Sequence, residues 1–479
     1  MVKSRSGVIQ CAAVLLAVGG SYATTSGHTQ NLSAADITYR TIERRAVESV
    51  IWGMPTVNYD LMYQQMLKLG GKPNQIVYWS RLPDWKNQTL TPNPDSIYLM
   101  PFVNTKDVGP MVLEVPPADD GSITGTIMDC WQSALEDVGP AGADKGQGGK
   151  YLILPPGYNS KPPEGYVALP SDTYQGYALL RSILKSGSDA DLAKAVAYGR
   201  RIKLYPLARA TSPPPTAFLD AIDVVFDATI PYDLRFYRSL DRMVQSEPWL
   251  ARDKIMIDQL KSIGIEKGKG FTPDAPMQEI LSGAAREAHA WLDLKYQGYF
   301  SPPFFDGTHW ALPATRELLD GMSTFFANPN SYPVDARGVT YSMAFFSPKH
   351  SGGGSFYLMT ISDKNGQSFD GGSTYRLTVR PNAPVTQYWS ATVYDRATHG
   401  LIRNLPSPSR SSQTPGLRKS PDDSVDIYFG PKVPPSGEAN WVPTSADGKF
   451  EVLFRFYGPE KALFDKTWKL PDIEKVSTQ

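Results

Sequence analysis

Two stretches of short apolar-rich runs, each broken every few residues by Pro, Gly or Asp, flank a long middle stretch whose apolar residues recur at helical spacing. This layout constrains the fold of the 479-residue chain more than any other feature. In the first stretch the strand-like runs are Gln75 to Trp79, Ile97 to Val103, Pro110 to Val115, Ser122 to Met128 and Lys150 to Leu154. In the second they are Gly338 to Phe346, Ser355 to Ser362, Ser373 to Arg380, Gln387 to Tyr394, Asp423 to Phe429 and Lys449 to Tyr457. Short strands at ~8–12-residue spacing with turn signals specify sandwiches or jelly rolls. The 41 prolines and 40 glycines supply the turns,. Between them, Asp253 to Ile263 and Met277 to Leu294 carry the clearest helical period in a helical stretch from Ala217 to about Ala327,. Ahead of the first stretch, Ala34 to about Ile51 reads as a helix whose first turn Asp36 can serve. Pro55 is expected to end or kink it before Tyr59 to Leu69 resumes,. The fold expected is mostly β with α: two β-sandwich or jelly-roll-like domains joined by a helical segment. The boundaries fall at 24–210, 211–335 and 336–479, with Ser212-Pro213-Pro214-Pro215 as a stiff, exposed linker,.

Residues 1–23 read as a cleavable secretory leader. Lys3 and Arg5 precede an apolar run from Val8 to Val18, too short for the ~20 residues that a bilayer requires,. Gly19-Gly20 breaks the run, and Ser21-Tyr22-Ala23 sets small residues at the peptidase positions, so cleavage is expected after Ala23,. The expected destination is periplasmic or extracellular. No later stretch is long and apolar enough to span. Cys11 leaves with the leader, and Cys130 alone remains, so no internal disulfide can form,. With 48 basic and 48 acidic residues the formal net charge is zero, which gives no pull on nucleic acid,. Nothing in the chain settles an oligomeric state, and a homo-oligomer stays open.

Several groupings could carry chemistry. Pro92 and Pro94 stiffen a loop whose polar side chains are Asn93 and Asp95, with Tyr98 just beyond,. Such rigidity suits ligand contacts, although an Asx turn needs the same residues. Asp129 ends a strand beside Trp131. If Asp95 and Asp129 converge they form an acid/base pair of the kind glycoside hydrolysis uses, whereas each could equally cap a loop or pair with an arginine such as Arg181,. Cys130 reads as a small buried hydrophobe sooner than as a nucleophile, because no histidine motif accompanies it. Asp363-Lys364-Asn365-Gly366 reads as a type I′ hairpin turn in preference to a calcium loop,. No HExxH, CxxC, P-loop or G-x-S-x-G appears, so neither a metal nor a cofactor is expected. Trp389, Tyr394 and Trp441 offer rings on which a sugar could stack, with Arg455 able to bind hydroxyls or negative charge. Two-sided burial in a sandwich would explain the same rings,.

The strings Thr91-Pro92-Asn93-Pro94-Asp95-Ser96-Ile97-Tyr98, Leu113-Glu114-Val115-Pro116 and Tyr151-Leu152, with Asp129, Gly139 and Arg181, resemble the family catalogued as domain of unknown function 1254. Tyr357, Asp363, Gly366, Tyr375-Arg376-Leu377, Tyr388-Trp389-Ser390, Thr392-Val393-Tyr394-Asp395, Asn440-Trp441-Val442-Pro443 and Arg455-Phe456-Tyr457-Gly458-Pro459 resemble domain of unknown function 1214. The paired family comprises exported proteins with the two domains in this order. The resemblance implies two β-rich domains with helical material between them and implies no established reaction.

Two readings stand. In one, an exported soluble protein binds a glycan or small amphiphilic molecule in a cleft formed by Asn93, Tyr98, Arg181, Trp389, Tyr394, Trp441 and Arg455. In the other, a glycosidase-like hydrolase or lyase works through Asp95 and Asp129. The separation of those two carboxylates decides between them.

Overall fold

A computed structural model describes residues 32–345, 348–350, 354–435 and 437–476. The leader, 1–23, lies outside the described residues. The first twelve strands are β1 (Gln75–Tyr78), β2 (Asn87–Gln88), β3 (Ile97–Asn104), β4 (Met111–Val115), β5 (Ile123–Asp129), β6 (Ala134–Val138), β7 (Gly149–Leu154), β8 (Val167–Pro170), β9 (Gln175–Ser182), β10 (Lys203–Pro206), β11 (Phe218–Asp220) and β12 (Phe226–Asp227). The helices are α1 (Ala34–Lys68), α2 (Asp189–Gly199), α3 (Leu234–Ser246), α4 (Met256–Ser262), α5 (Ala275–Gly298), α6 (Arg316–Ser323), α7 (Val334–Met343) and α8 (Lys461–Phe464). The C-terminal strands are β13 (Ser355–Thr360), β14 (Thr374–Val379), β15 (Val385–Asp395), β16 (Ser409–Ser411), β17 (Val425–Gly430), β18 (Trp441–Pro443), β19 (Phe450–Pro459) and β20 (Glu474–Val476).

The strands build two sandwiches joined by helices. In the first, a six-stranded sheet ordered β11-β1-β3-β9-β5-β6 packs on a four-stranded sheet ordered β10-β4-β7-β8. Their shared core includes Leu99, Ile127 and Leu180 from one sheet and Met111, Leu113 and Tyr151 from the other. In the second, β13-β19-β15-β16 packs on β18-β17-β14-β20 through Leu377, Val393, Ile427, Phe454 and Phe456. Strand alternation then places the other side of each sandwich's first sheet against further protein. The outer face of the six-stranded sheet contributes Met100, Phe102, Tyr177 and Leu179 to a core shared with α1, α3, α5 and α7.

The middle segment and its C-terminal end correct two expectations. Residues 217–233 are not helical: β11 adds in parallel to β1, with Phe218 opposite Ile76, and β12 pairs with β2. The segment Pro213 to Pro215 just ahead of β11 is exposed. The strand expected from Gly338 to Phe346 is not formed over its described part, because Val334 to Met343 is α7; Phe346 lies outside the described residues. Every residue from Ala336 to Met343 is buried, so no polar stripe marks a helical period and the alternating Val339, Tyr341 and Met343 mimic a strand.

Pro55 neither ends nor visibly divides α1, which runs unbroken from Ala34 to Lys68. A proline here leaves the Ile51 carbonyl without its helical donor. Gly338 of α7 sits against that carbonyl: a Cβ on Gly338 would lie 2.9 Å from the Ile51 oxygen and 3.4 Å from Leu292 Cδ2. The two helices can approach this closely only without a side chain at 338. Gly338→Ala is therefore expected to destabilise the protein by about 1–3 kcal/mol. A denaturant midpoint equal to that of the parent would show that the contact relaxes freely.

Candidate functional site

The second sandwich turns an unusual face outward. Along β19, Phe450, Val452, Phe454 and Phe456 enter the sandwich core, which sends Glu451, Leu453, Arg455 and Tyr457 to the opposite side. Register aligns Tyr357 of β13, Arg455 of β19 and Ser390 of β15 in one row, and Ser355, Tyr457 and Tyr388 in the next. Arg455 and Tyr457 are nevertheless almost wholly buried, at 2% and 1% exposure. The first sandwich covers them.

The cover is the Pro-Asn-Pro-Asp loop. Arg455 Nη2 donates to the carbonyls of Thr91 (2.9 Å) and Pro92 (3.2 Å), and its Nη1 donates to Thr392 Oγ1 at 2.8 Å. The Tyr394 hydroxyl also donates to the Pro92 carbonyl. Asn93 Nδ2 donates to the hydroxyls of Tyr388 (3.0 Å) and Tyr457 (2.8 Å), whose rings stack with centroids 4.4 Å apart. The Asn93 backbone N–H donates to the Tyr98 hydroxyl at 2.7 Å, and Asn93 Oδ1 accepts from the Asp95 N–H at 3.0 Å. Asn93 thus forms the expected Asx contact and also clasps the other sandwich. Asp95 accepts from the Ser409 hydroxyl at 2.6 Å. Burial raises its carboxyl above the usual range, despite the Ser409 bond and the nearby Arg455.

Five of the expected residues come together here: Asn93, Asp95, Tyr98, Tyr394 and Arg455, with Arg181 beside them. Arg181 lies between Tyr98 and Thr124 in the register of β3, β9 and β5. Its Nε donates to the Tyr98 hydroxyl at 3.4 Å, and its guanidinium sits 5.1 Å from the Tyr98 ring centroid.

Asp129 is elsewhere. It pairs with Gly176 at one end of β9, whereas Tyr98 pairs with Arg181 near the other end. Those positions are five residues apart, a span of roughly 17 Å, and Asp95 lies beyond Tyr98. The carboxylates have different neighbours, Arg455 and Arg410 for Asp95 and Arg252 and Arg337 for Asp129. Glycosidase pairs require ~5–9.5 Å, so the expected acid/base pair is not assembled. Asp129 Oδ1 accepts from the backbone N–H groups of Trp131 (2.9 Å) and Ser133 (2.8 Å), as a loop-capping carboxylate does. Cys130 is fully buried, and burial pushes its thiol up, away from nucleophilic use,.

Two of the expected aromatic residues also lie outside the site. Trp389 faces the second core and stacks on Phe454 at 5.6 Å. Trp441 is no loop ring: it opens β18, and its Nε1 donates to the Gly430 carbonyl at 2.9 Å. In the turn after Asp363, only Gly366 has a left-handed φ, and Asp363 Oδ1 accepts from the N–H groups of Asn365 and Gln367. That is an Asx-stabilised turn and not type I′, which needs two left-handed residues.

A cavity of about 290 Å³ opens beside the cluster, between β5 and β9 on one side and β13 on the other. Met128, Leu179, Leu312, Ala314, Phe345 and Phe356 give it apolar walls, and Arg181, Tyr357, Asp137 and His350 are among its polar lining. Sequence reasoning did not single out Tyr357 as a site residue. Arg455 lies behind it, 5.5 Å from its ring centroid. Burial would raise the Tyr357 phenol, but Arg181 and Arg455 outweigh burial and hold it below the usual tyrosine range. Tyr457, by contrast, is pushed up by burial and by its phenol neighbours Tyr357 and Tyr388.

Residues 73–206 match the family described as Protein of unknown function (DUF1254), and residues 354–461 match Protein of unknown function (DUF1214). No curated protein matches the chain. The crystal structure of the VPA0106 protein from Vibrio parahaemolyticus is similar in fold, with a TM-score of 0.56 at 18% identity over 91% of this chain and 100% of that one. An uncharacterized protein from Burkholderia cenocepacia aligns at 10% identity and a TM-score of 0.41, over 92% of this chain and 96% of that one.

Proposed function

From a chain that carries the DUF1254 and DUF1214 families together, in that order, we propose an exported, periplasmic or extracellular binding protein that takes a small amphiphilic molecule into the cavity between its two sandwiches. The observation that carries this reading is the composition of the cavity lining: mostly apolar walls with a few polar groups, Arg181 and Tyr357 among them. Binding sites of this kind combine mostly apolar walls with a few placed polar groups. An amphiphile suits the lining better than a glycan, because Trp389 and Trp441, the rings expected to stack on sugar, point elsewhere. The two-carboxylate hydrolase loses its basis once Asp95 and Asp129 lie at opposite ends of a sheet.

The test is displacement of a fluorescent apolar probe from the purified protein by eight-carbon amphiphiles. Ala314→Trp and Leu319→Trp place an indole into the wall. Each is expected to weaken binding at least ~10-fold, about 1.4 kcal/mol, in a protein that still melts cooperatively. Probe binding unchanged in both folded variants would refute the cavity as the site.

A further inference from the structure

The cavity lining around Arg181 and Tyr357 has an electrostatic imbalance. Arg181 and Arg455 both face Tyr357, and among the described residues neither makes an ion pair with a carboxylate. Arg455 acts on Asp95 electrostatically, yet burial still raises the Asp95 carboxyl. The donors of Arg455 are spent on Thr392, the carbonyls of Thr91 and Pro92, and the Tyr394 hydroxyl. Arg181 differs. A guanidinium has several N–H donors, and Nε, at 3.4 Å from the Tyr98 hydroxyl, is the one with a hydrogen-bonded acceptor among the described residues. Arg181 also lines the cavity. A half-buried cation with spare donors on an apolar chamber calls for an anion.

We propose that the cavity's ligand is a carboxylate-headed amphiphile whose head docks on Arg181, and that ionisation of Tyr357 expels it. The inference rests on the amphiphile reading above and adds the head group and its control. Two anions can neutralise this part of the chamber: a ligand carboxylate or the Tyr357 phenolate. They draw on the same positive field, so each opposes the other. Raising the pH through the ionisation of Tyr357 places negative charge beside Arg181 and weakens the carboxylate. By linkage, a bound carboxylate raises the pKa of Tyr357 by the same free energy. A single planar guanidinium edge matches a planar monoanion, which favours a carboxylate head.

The groups facing Tyr357 are consistent with this assignment. Arg181 comes from β9, Arg455 and Tyr457 from β19, and Tyr388 from β15, with the Ser355 hydroxyl donating from its own strand at 3.0 Å. Tyr388 and Tyr457 are held well above the usual tyrosine range by burial, so Tyr357 is the first of these phenols to ionise. Asp137 and His350, which also line the cavity, are engaged with each other's segments. Asp137 accepts from Thr126 Oγ1 at 2.7 Å and from the His350 N–H at 2.7 Å, and His350 Nε2 lies 2.9 Å from Glu136.

Calorimetry with octanoate, octanol and octyltrimethylammonium, at about pH 7 and about pH 9.5, tests the proposal. An ordinary tyrosine ionises near ~10, and octanoate stays ionised at both values. Octanoate is expected to bind at least ~10-fold more tightly than octanol at the lower pH, to lose most of that preference at the higher pH, and to exceed the cationic amphiphile throughout. Tyr357→Phe should bind octanoate equally at both values. Arg181→Gln should bind octanol and octanoate alike, with Arg181→Lys restoring part of the preference if the fold is intact. Tyrosinate difference absorbance supplies an independent readout: one phenol titrating ahead of the rest, absent in Tyr357→Phe and moved upward by octanoate. Octanol binding as tightly as octanoate would overturn this inference and leave the amphiphile reading standing. Binding of none of the three would overturn the amphiphile reading first. Full pH dependence surviving in Tyr357→Phe would assign the effect to His350 or another group and end the role given to Tyr357.

Discussion

Arg455→Met is expected to destabilise the protein by about 3–5 kcal/mol, the cost typical of breaking a buried charge arrangement by removing one member. Methionine matches the stem of arginine and keeps the apolar packing, so the loss reports on the guanidinium. That group is 2% exposed and bonds to Thr392, the Thr91 and Pro92 carbonyls, and Tyr394. Without it, the Thr91 and Pro92 carbonyls lose a donor and Asp95 loses a neighbouring buried cation. Thr91 adds to the effect. Its φ of 39° is left-handed, which a β-branched residue adopts only under constraint,. The constraint comes from the Arg455 bond on one side and from the Thr91 N–H donating to the His399 carbonyl, at 2.7 Å, on the other. Arg455→Lys should recover little, because an ammonium cannot reach this set of acceptors as a planar fork does. Denaturant melts measure the loss, and protease sensitivity near residue 91 should rise with it. A methionine variant within ~1 kcal/mol of the parent would show that the loop is held by apolar packing alone.

The same loop shows what could and could not be read in advance. Pro92-Asn93-Pro94-Asp95 announced rigidity and polar purpose, and both are present. The partner of Asn93 was hidden, because Tyr388 and Tyr457 lie almost 300 or more residues further along the chain and only register brings them to it. Strand β15 held a stronger clue. Tyr388, Ser390, Thr392 and Tyr394 share one parity, and Trp389, Ala391 and Val393 the other. The apolar set had to be the sandwich core, which excluded Trp389 from a ligand site. Strand β9, which carries Arg181, escaped sequence reading altogether. Its Gly176-Tyr177-Ala178-Leu179-Leu180 run is buried on both faces and lacks β-branched residues, so neither period nor propensity marks it,. The cavity was illegible for a related reason. Its walls come from β5, β9, β13 and the segment around Leu312 to Leu319, none of which is unusual until the two sandwiches meet. Pro55 misled because α1 continues through it, with Gly338 of α7 packed closely against the carbonyl it frees,.

Glu451→Leu should produce a loss of similar size, about 3–5 kcal/mol, from the other side of the same strand face. Glu451 has no exposed surface. Its carboxylate lies 2.7 Å from His399 Nδ1 and accepts from the Tyr296 hydroxyl at 3.0 Å, and Arg396 Nε lies 3.9 Å away. Arg396 also pairs with Asp293 of α5 and lies over the Tyr296 ring at 4.8 Å. The carboxylate therefore joins α5 to the second sandwich through a charge that water does not reach. Leucine would leave His399, Tyr296 and Arg396 without it, and Asp293 alone would face the guanidinium. Glu451→Gln keeps the shape and one acceptor oxygen, so its cost should be clearly smaller. Tyr296→Phe removes a single hydrogen bond, worth about 1–2 kcal/mol with a charged acceptor. Combined in a double-mutant cycle, Glu451→Gln and Tyr296→Phe should fall short of additivity by at least ~0.5 kcal/mol. Additive losses would mean that the two groups stabilise the fold independently, and a leucine variant as stable as the parent would mean that the buried charge costs as much as its partners return. In that second case the network would bear on how α5 is oriented against the sandwich more than on stability, and the position of the α5 backbone in the leucine variant, not its melting temperature, would show it.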